Sequence, residues 1–259
     1  MSLDISSILK DWPYHPGRVS ARRICGDDGC DRIQLRLDMG LLQMEASGRP
    51  DGTRPHGQES LLAYYEQQLR HYTEEHDGEE GFELDEGACE LLRAEGVMYY
   101  HRYLAEFVLE DYDAVERDTV RNLRLMDFCS SYAEGDSDRY VLEQYRPYVL
   151  MMRTRALAQK ALSDSRPKAA LAAVNEGTEA IEAFYSRFGQ DELASGSGEV
   201  AILRAMAKEI ESRIPADPRL KLREALEKAL EEERYEEAAS LRDRLRHTAS
   251  SKGKGGREH

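Results

Sequence analysis

The sequence predicts a mainly α-helical protein with a small β-rich module at its N-terminus. Three observations predict it. Apolar residues alternate with period two only within the first 56 residues, and recur at helical spacing afterwards. Leu, Ala, Glu and Arg dominate the composition, which favours helix. The chain of 259 residues, 41% of them apolar, is long enough for one large domain or two to three small ones.

The first predicted module covers residues 1–56. Its clearest strand has Ile33, Leu35, Leu37 and Met39 on one face and polar residues on the other, which is typical of a half-buried strand. Residues 19–24 are the expected partner strand across the turn "GDDG", and "LLQMEA" is a candidate third strand. The Pro- and Gly-rich stretch "SGRPDGTRPHG" then predicts a loop.

A helical domain is predicted for residues 57–214. A first helix begins near Glu59, and two helical hairpins follow with turns at "EDYD" and "SDSRP". The second hairpin resembles a tetratricopeptide repeat (TPR) at its small and apolar positions, which are Leu157, Ala158, Ala161, Ala170 and Val174. The pattern departs from a regular array, because the two turns lie 56 residues apart and Arg102 stands where a small residue is expected. We expect helical hairpins in this region that are TPR-like but do not form a regular tandem array.

Two linkers and a tail complete the predicted organisation. "GQDELASGSG" is expected to be a flexible link, followed by one more amphipathic helix that Pro215 ends. Asp217 and Pro218 provide an N-cap and a first helical residue for a new element. Residues 248–259 are expected to be disordered, since they contain almost no apolar side chain.

Residues 217–247 predict a helical hairpin with an apolar stripe on each helix. The candidate partner-binding residues are Leu222, Leu226, Ala229, Leu230, Tyr235, Ala238, Ala239, Leu241, Arg242, Asp243 and Leu245. The alanines permit close helix approach, and Arg242 and Asp243 can form ion pairs within the hairpin or to a partner. So short a segment buries little apolar surface by itself. The stripe is therefore expected to pack on another protein or, alternatively, on the preceding helix of its own chain.

This hairpin resembles the UVR domain, the UvrB/UvrC motif. The matching residues, which run without a gap, are Ala229, Tyr235-Glu236, Ala238-Ala239, Leu241-Arg242-Asp243 and Leu245. The resemblance implies a helical hairpin that associates with proteins, either with itself or with another UVR-bearing protein. The family occurs in excision-repair proteins, in Clp-type ATPases and in an activator of protein arginine kinase. It does not imply a nuclease or helicase, because the catalytic domains of such enzymes are missing.

Other candidate sites are weaker, and we expect no catalytic residue, no cofactor and no metal. Cys25 and Cys30 flank a turn and could form a disulfide or half of a zinc site, whereas Cys89 and Cys129 are typical of buried thiols. The loop with Arg49, Asp51, Arg54 and His56 could hold an anion, although two consecutive turns also explain it. The carboxylates Glu106, Glu110 and Asp111 are typical of a solvated helix face.

Charge restricts the partners. The net charge of −14 disfavours nucleic acid and anionic membranes, and the few basic residues of the tail would bind nucleic acid only weakly. The chain shows neither a signal-peptide pattern nor a transmembrane stretch, so we expect a cytoplasmic protein. The expected function is a non-enzymatic adaptor that docks a protein through residues 217–247, with a possible homodimer. The alternatives are a DNA-repair accessory protein that contacts DNA, or an enzyme that uses the Arg/His loop.

Overall fold

A computed structural model describes residues 4–214 and 218–252, in two compact units, Met1–Ile210 and Glu211–His259. The strands are β1 (Ala21–Cys25), β2 (Asp31–Arg36) and β3 (Leu41–Glu45). The helices of the first unit are α1 (Ser6–Leu9), α2 (Leu61–His76), α3 (Glu86–Val108), α4 (Tyr112–Tyr132), α5 (Asp136–Tyr140), α6 (Arg146–Ser163), α7 (Pro167–Arg187), α8 (Asp191–Gly196) and α9 (Gly198–Arg213), which extends just past its boundary. The second unit contains α10 (Pro218–Glu231) and α11 (Tyr235–Lys252). The mainly helical class with a small N-terminal sheet is confirmed.

The three strands form an antiparallel sheet in the order β1-β2-β3. Ile33 and Leu35 of β2 are buried and pack with Met44 of β3 against Ala105 of α3. The predicted strand was too long, because β2 ends at Arg36. The Leu37 N–H donates to the Gly40 carbonyl at 2.9 Å, and this tight turn places Met39 at its tip with 90% of its surface exposed.

The N-terminal segment contacts the other face of the sheet. The Trp12 indole N–H donates to the Ser20 hydroxyl at 2.7 Å, and the Arg22 guanidinium lies 4.3 Å from the Trp12 ring centroid. Arg22 also donates to the side chain of Gln34, which is buried although it points away from α3. The Gln34 side chain is hydrogen-bonded to Arg22 of β1 and Gln43 of β3 on either side, which explains a buried glutamine at a position of the polar alternation.

The two predicted helical hairpins are present as α3/α4 and α6/α7. The core around the first hairpin contains Leu92 and Leu125, and Cys89 and Cys129 are buried thiols within it, as predicted. Gly177 of α7 lies so close to α6 that a Cβ added there would overlap the Thr154 side chain. The two helices of the second hairpin therefore pack at very short range.

Both hairpins reverse direction by the same backbone device. The second residue after the helix end, Glu110 or Ser165, adopts a left-handed conformation with φ of 59° or 58°. The next residue, Asp111 or Arg166, donates its N–H to the carbonyl five residues earlier, at 3.0 and 2.8 Å. This is a Schellman motif, which satisfies carbonyls at the helix end.

The structure differs from the expectations at two further places. The expected flexible link contains α8, where Asp191 and Glu192 lie in the first turn and Ala194 is buried. The helix α11 extends to Lys252, five residues into the expected tail. The rest of the expected tail, and Pro215 to Asp217, lie outside the described residues. None of the helices in the described part of the chain is long and apolar enough to span a membrane.

Candidate functional site: the C-terminal helical hairpin

The candidate site is built on α10, α11 and the three residues between them. Glu233 adopts the left-handed conformation with φ of 55°, and Arg234 donates its N–H to the Ala229 carbonyl at 2.8 Å. The reversal is therefore the same Schellman motif as in the two upstream hairpins. It requires no glycine, and the Arg234 side chain forms ion pairs with Glu232 and Glu237 at 2.5 Å on either side of the turn.

The two helices close on each other through a small inner face. Ala229 is fully buried, and Ala238 and Leu241 are 4% and 7% exposed. Leu222 and Leu226 are partly buried and pack against these three. Small side chains on facing positions allow the backbones to approach closely, so five of the predicted partner-binding residues form the hairpin's own core.

A second group of predicted residues faces outward. Leu230 is 51% exposed and Tyr235 is 67% exposed, one at the end of α10 and the other at the start of α11. They are the two large apolar side chains nearest the reversal. Burying such side chains completely is worth about 1.5–3 kcal/mol each, so leaving them half exposed forgoes a substantial part of that energy.

The remaining predicted residues are polar or small. Ala239, Arg242 and Asp243 are exposed, and Leu245 is half-buried. Arg242 lies 3.4 Å from the carboxylate of its neighbour Asp243, a long contact between two exposed side chains that contributes little to stability. This contact is an ion pair within the hairpin, one of the two arrangements that the sequence left open.

Carboxylates surround the outward pair. The acidic side chains of the reversal are Glu231, Glu232, Glu233, Glu236 and Glu237, all of them exposed. Arg234 and Lys228 are the basic residues within the same stretch. The outward face therefore combines two apolar side chains with a negative rim.

The weaker candidates take structural positions. Arg49 of the Pro- and Gly-rich loop points inward, with its Nε 3.0 Å from the buried carboxylate of Glu95, which also accepts the N–H groups of Leu61 and Leu62 at the start of α2. His56 of the same loop stacks on Tyr64 at 4.1 Å. Two of the loop's candidate side chains thus help to anchor it to the helical part.

A buried ionic network replaces the predicted solvated face of α3. Arg102 donates to both oxygens of Asp118 at 2.6 and 2.9 Å, and to the carbonyls of Glu45 and Gly48 at 3.0 and 2.8 Å. Glu106 is fully buried, contrary to the expectation, and accepts from Arg117 at 2.8 Å. Burial, then the nearby Asp118 charge, raises the pKa of Glu106 to about 8. Arg102 thus ties the loop after the sheet to α3 and α4, which explains a large cation where the repeat pattern expects a small residue.

The cysteines of the sheet form no disulfide. Cys25 and Cys30 are both exposed free thiols. Across residues 4–214 and 218–252, no group of three or more His, Cys, Asp or Glu side chains is arranged to hold a metal ion.

Comparison with known families identifies the hairpin. Residues 220–247 match the family model of the UvrB/UvrC motif, within the range that the sequence predicted. No curated protein and no solved structure matches the chain. The TPR-like character of the middle helices remains a prediction. The chain carries a UVR motif, and α10, α11 and their Schellman reversal are the structure of that motif.

Proposed function

We propose that this protein is a non-enzymatic adaptor that docks another protein through the outward face of its UVR hairpin. The observation that carries the proposal is the exposure of Leu230 and Tyr235, 51% and 67%, on a hairpin whose inner face is already closed by Ala229, Ala238 and Leu241. The apolar surface at the reversal is therefore surplus to the hairpin's own core.

The chemistry of this face suits a protein partner. Tyr is among the residues that most often dominate binding energy, because it combines a large rigid apolar area with a polar end. The carboxylates around it add little affinity on an exposed rim, but they favour basic partner surfaces and repel acidic ones. Nucleic acid is disfavoured for the same reason, since a negative rim repels phosphate.

The family points to the partner class. By analogy with the proteins that carry the UvrB/UvrC motif, the partner is a second UVR-bearing protein with a basic docking surface. A second copy of this chain is the alternative, although it would bring the same carboxylates together on both sides. The pathway is then excision repair or the regulation of a Clp-type protease, in the cytoplasm. Neither choice requires a catalytic residue in this chain.

The test compares three full-length chains bound to purified UVR-bearing proteins of the same host. Tyr235→Ser removes the outward aromatic, and Leu193→Ser is the matched control, because Leu193 is a similarly exposed apolar residue (57%) of the first unit. We expect Tyr235→Ser to weaken binding at least about tenfold, with Leu193→Ser unchanged. Equal binding by all three chains, or binding lost equally in both variants, would refute the proposal.

Self-association and DNA contact are measured on the same chains. Sedimentation at increasing concentration reports a second copy as the partner, and the Tyr235→Ser variant is then expected to remain monomeric. Titration of labelled duplex DNA at moderate salt is expected to give no binding. Leu241→Glu is a poor test of docking, because Leu241 lies in the inner face and its loss would disrupt the hairpin itself.

A further inference from the structure

Most charged residues in the central part of α3 are buried, whereas its outward face is uncharged. Between Leu91 and Val108 the helix contains four charged residues, Arg93, Glu95, Arg102 and Glu106, and the last three are fully buried. Arg93 is partly buried and pairs with Asp138. The side chains that remain on the outward face are therefore uncharged.

That face is an apolar stripe along the helix. Its most exposed members are Leu91 at 53%, Val97 at 52% and Val108 at 41%. Ala94 is exposed, and Met98, His101 and Leu104 are half-buried between them. The spacing of three to four residues keeps the set on one side of the helix over about 25 Å, at 1.5 Å per residue. We define these seven residues as the α3 stripe.

The stripe is unusual within this protein. Its hairpin partner α4 presents ordinary charged side chains to solvent, for example Arg117 and Arg124. A contiguous exposed apolar patch marks an interaction site.

Charge at the two ends of the stripe selects the occupant. The segment from Glu79 to Glu90, which leads into and begins α3, contains six acidic residues and no Lys or Arg. At the other end, Glu110, the second residue after α3, is exposed. A second copy of α3 would place carboxylates against carboxylates in either orientation, since both ends of the stripe are acidic.

We infer that the α3 stripe binds an amphipathic helix of a partner protein, with an apolar face of similar length and with Lys or Arg at both of its ends. Such a helix covers the apolar side chains and places its cations against the acidic ends. The inference is independent of the UVR hairpin, because the stripe lies entirely in the first unit.

The probe is a labelled synthetic helix of about 20 residues with Leu at helical spacing and Lys at both ends, titrated with the full chain by fluorescence anisotropy at moderate salt. Two companion peptides separate the causes of binding. One keeps the Leu stripe and has Glu at both ends. The other keeps the Lys ends and has the Leu positions scrambled. We expect binding of the first peptide alone, weakened by added salt.

Val97→Asp places a charge in the middle of the stripe, and Ile202→Asp is the matched control on α9, where Ile202 is 47% exposed. We expect Val97→Asp to weaken binding of the Lys-ended peptide at least about tenfold, and Ile202→Asp to leave that binding unchanged. Circular dichroism checks that both variants are folded, and Val108→Asp serves if Val97→Asp is not. Tyr235→Ser, which is aimed at the hairpin, is expected to bind the peptide normally.

Three outcomes overturn the inference. One is that Val97→Asp, or Val108→Asp if that variant is used, binds the Lys-ended peptide as tightly as the unmodified chain does. Another is equal binding of the scrambled or the Glu-ended peptide. The third is a dimer of the unmodified chain that Val97→Asp dissociates in sedimentation, because the occupant is then a second copy.

Discussion

Arg102 is the residue whose loss the structure predicts most sharply. Its side chain is 1% exposed and makes four hydrogen bonds, two to Asp118 and two to the carbonyls of Glu45 and Gly48. Arg102→Met keeps much of the volume but leaves the buried Asp118 with Arg117 as its remaining cation, and both carbonyls lose a donor. Breaking a buried ion pair in this way costs about 3–5 kcal/mol. Against a total stability of about 5–15 kcal/mol, this is a large fraction.

The assay is thermal and urea unfolding followed by two signals. Circular dichroism reports the helices, and the fluorescence of Trp12, the one tryptophan of the sequence, reports the sheet module to which Arg102 is bonded. At about 2–4 °C per kcal/mol for a chain of this size, we expect the melting temperature to fall by roughly 6–20 °C. Arg124→Met is the control, because Arg124 is 57% exposed and its ion pair with Glu66 is worth about 0–1 kcal/mol.

A double variant separates the ion pair from simple loss of packing. Arg102→Met combined with Asp118→Leu removes both buried charges, and we expect it to be more stable than Arg102→Met alone. The reasoning is wrong if Arg102→Met costs less than about 1 kcal/mol, or if the double variant is no better than the single one.

Three further predictions follow from buried groups. The folded-state pKa of Glu106, about 8, lies above its ordinary value of 4.5. The folded protein therefore binds a proton that the unfolded chain releases, and its stability falls as pH rises from about 5 to 8. Glu106→Gln should remove that decline, and a difference in urea midpoint between the two chains that stays constant with pH would contradict the prediction. Gly177→Ala should destabilise the folded protein by about 1–3 kcal/mol, because the added methyl group overlaps Thr154. The double variant with Thr154→Ala should recover most of that loss. An unchanged urea midpoint of Gly177→Ala would show that the two helices separate freely. The two exposed thiols of the sheet should react rapidly with DTNB, whereas the two buried thiols should react only on unfolding, since burial raises the pKa of Cys129 to about 12; four rapid equivalents would refute the assignment.

Helices and their reversals were largely predictable from the sequence, because apolar spacing and turn composition are local signals. A helical hairpin in the C-terminal region, formed by α10 and α11, and the turns near Glu110 and Ser165 are confirmed. The strand β2 was predicted too long because alternation continues past Arg36, whereas the turn to Gly40 is set by a backbone hydrogen bond that alternation does not encode.

The division of the candidate site into an inner and an outer face was not predictable. Leu226 and Leu230 belong to one stripe by spacing, yet only one of them lies against the facing helix. Periodicity gives the direction of a stripe but not the position where the partner helix crosses it. The buried network was missed for a related reason, since Arg102 and Asp118 are 16 residues apart and meet only when α3 and α4 pair.

The common reversal has a consequence for how such a chain can change in length. In the second and third hairpins, residues 161–170 and 229–238 share the spacing Ala-Leu-x-x-x-Arg-x-x-x-Ala, and the alanines at both ends are buried. The backbone bonds that close each reversal lie within this stretch of ten residues, so they are local to the turn. A gene segment that encodes one hairpin could therefore be duplicated, deleted or transplanted without redesign of its connection. The functional identity of each copy would then rest on the few outward side chains that differ, such as a tyrosine after the arginine in place of a proline.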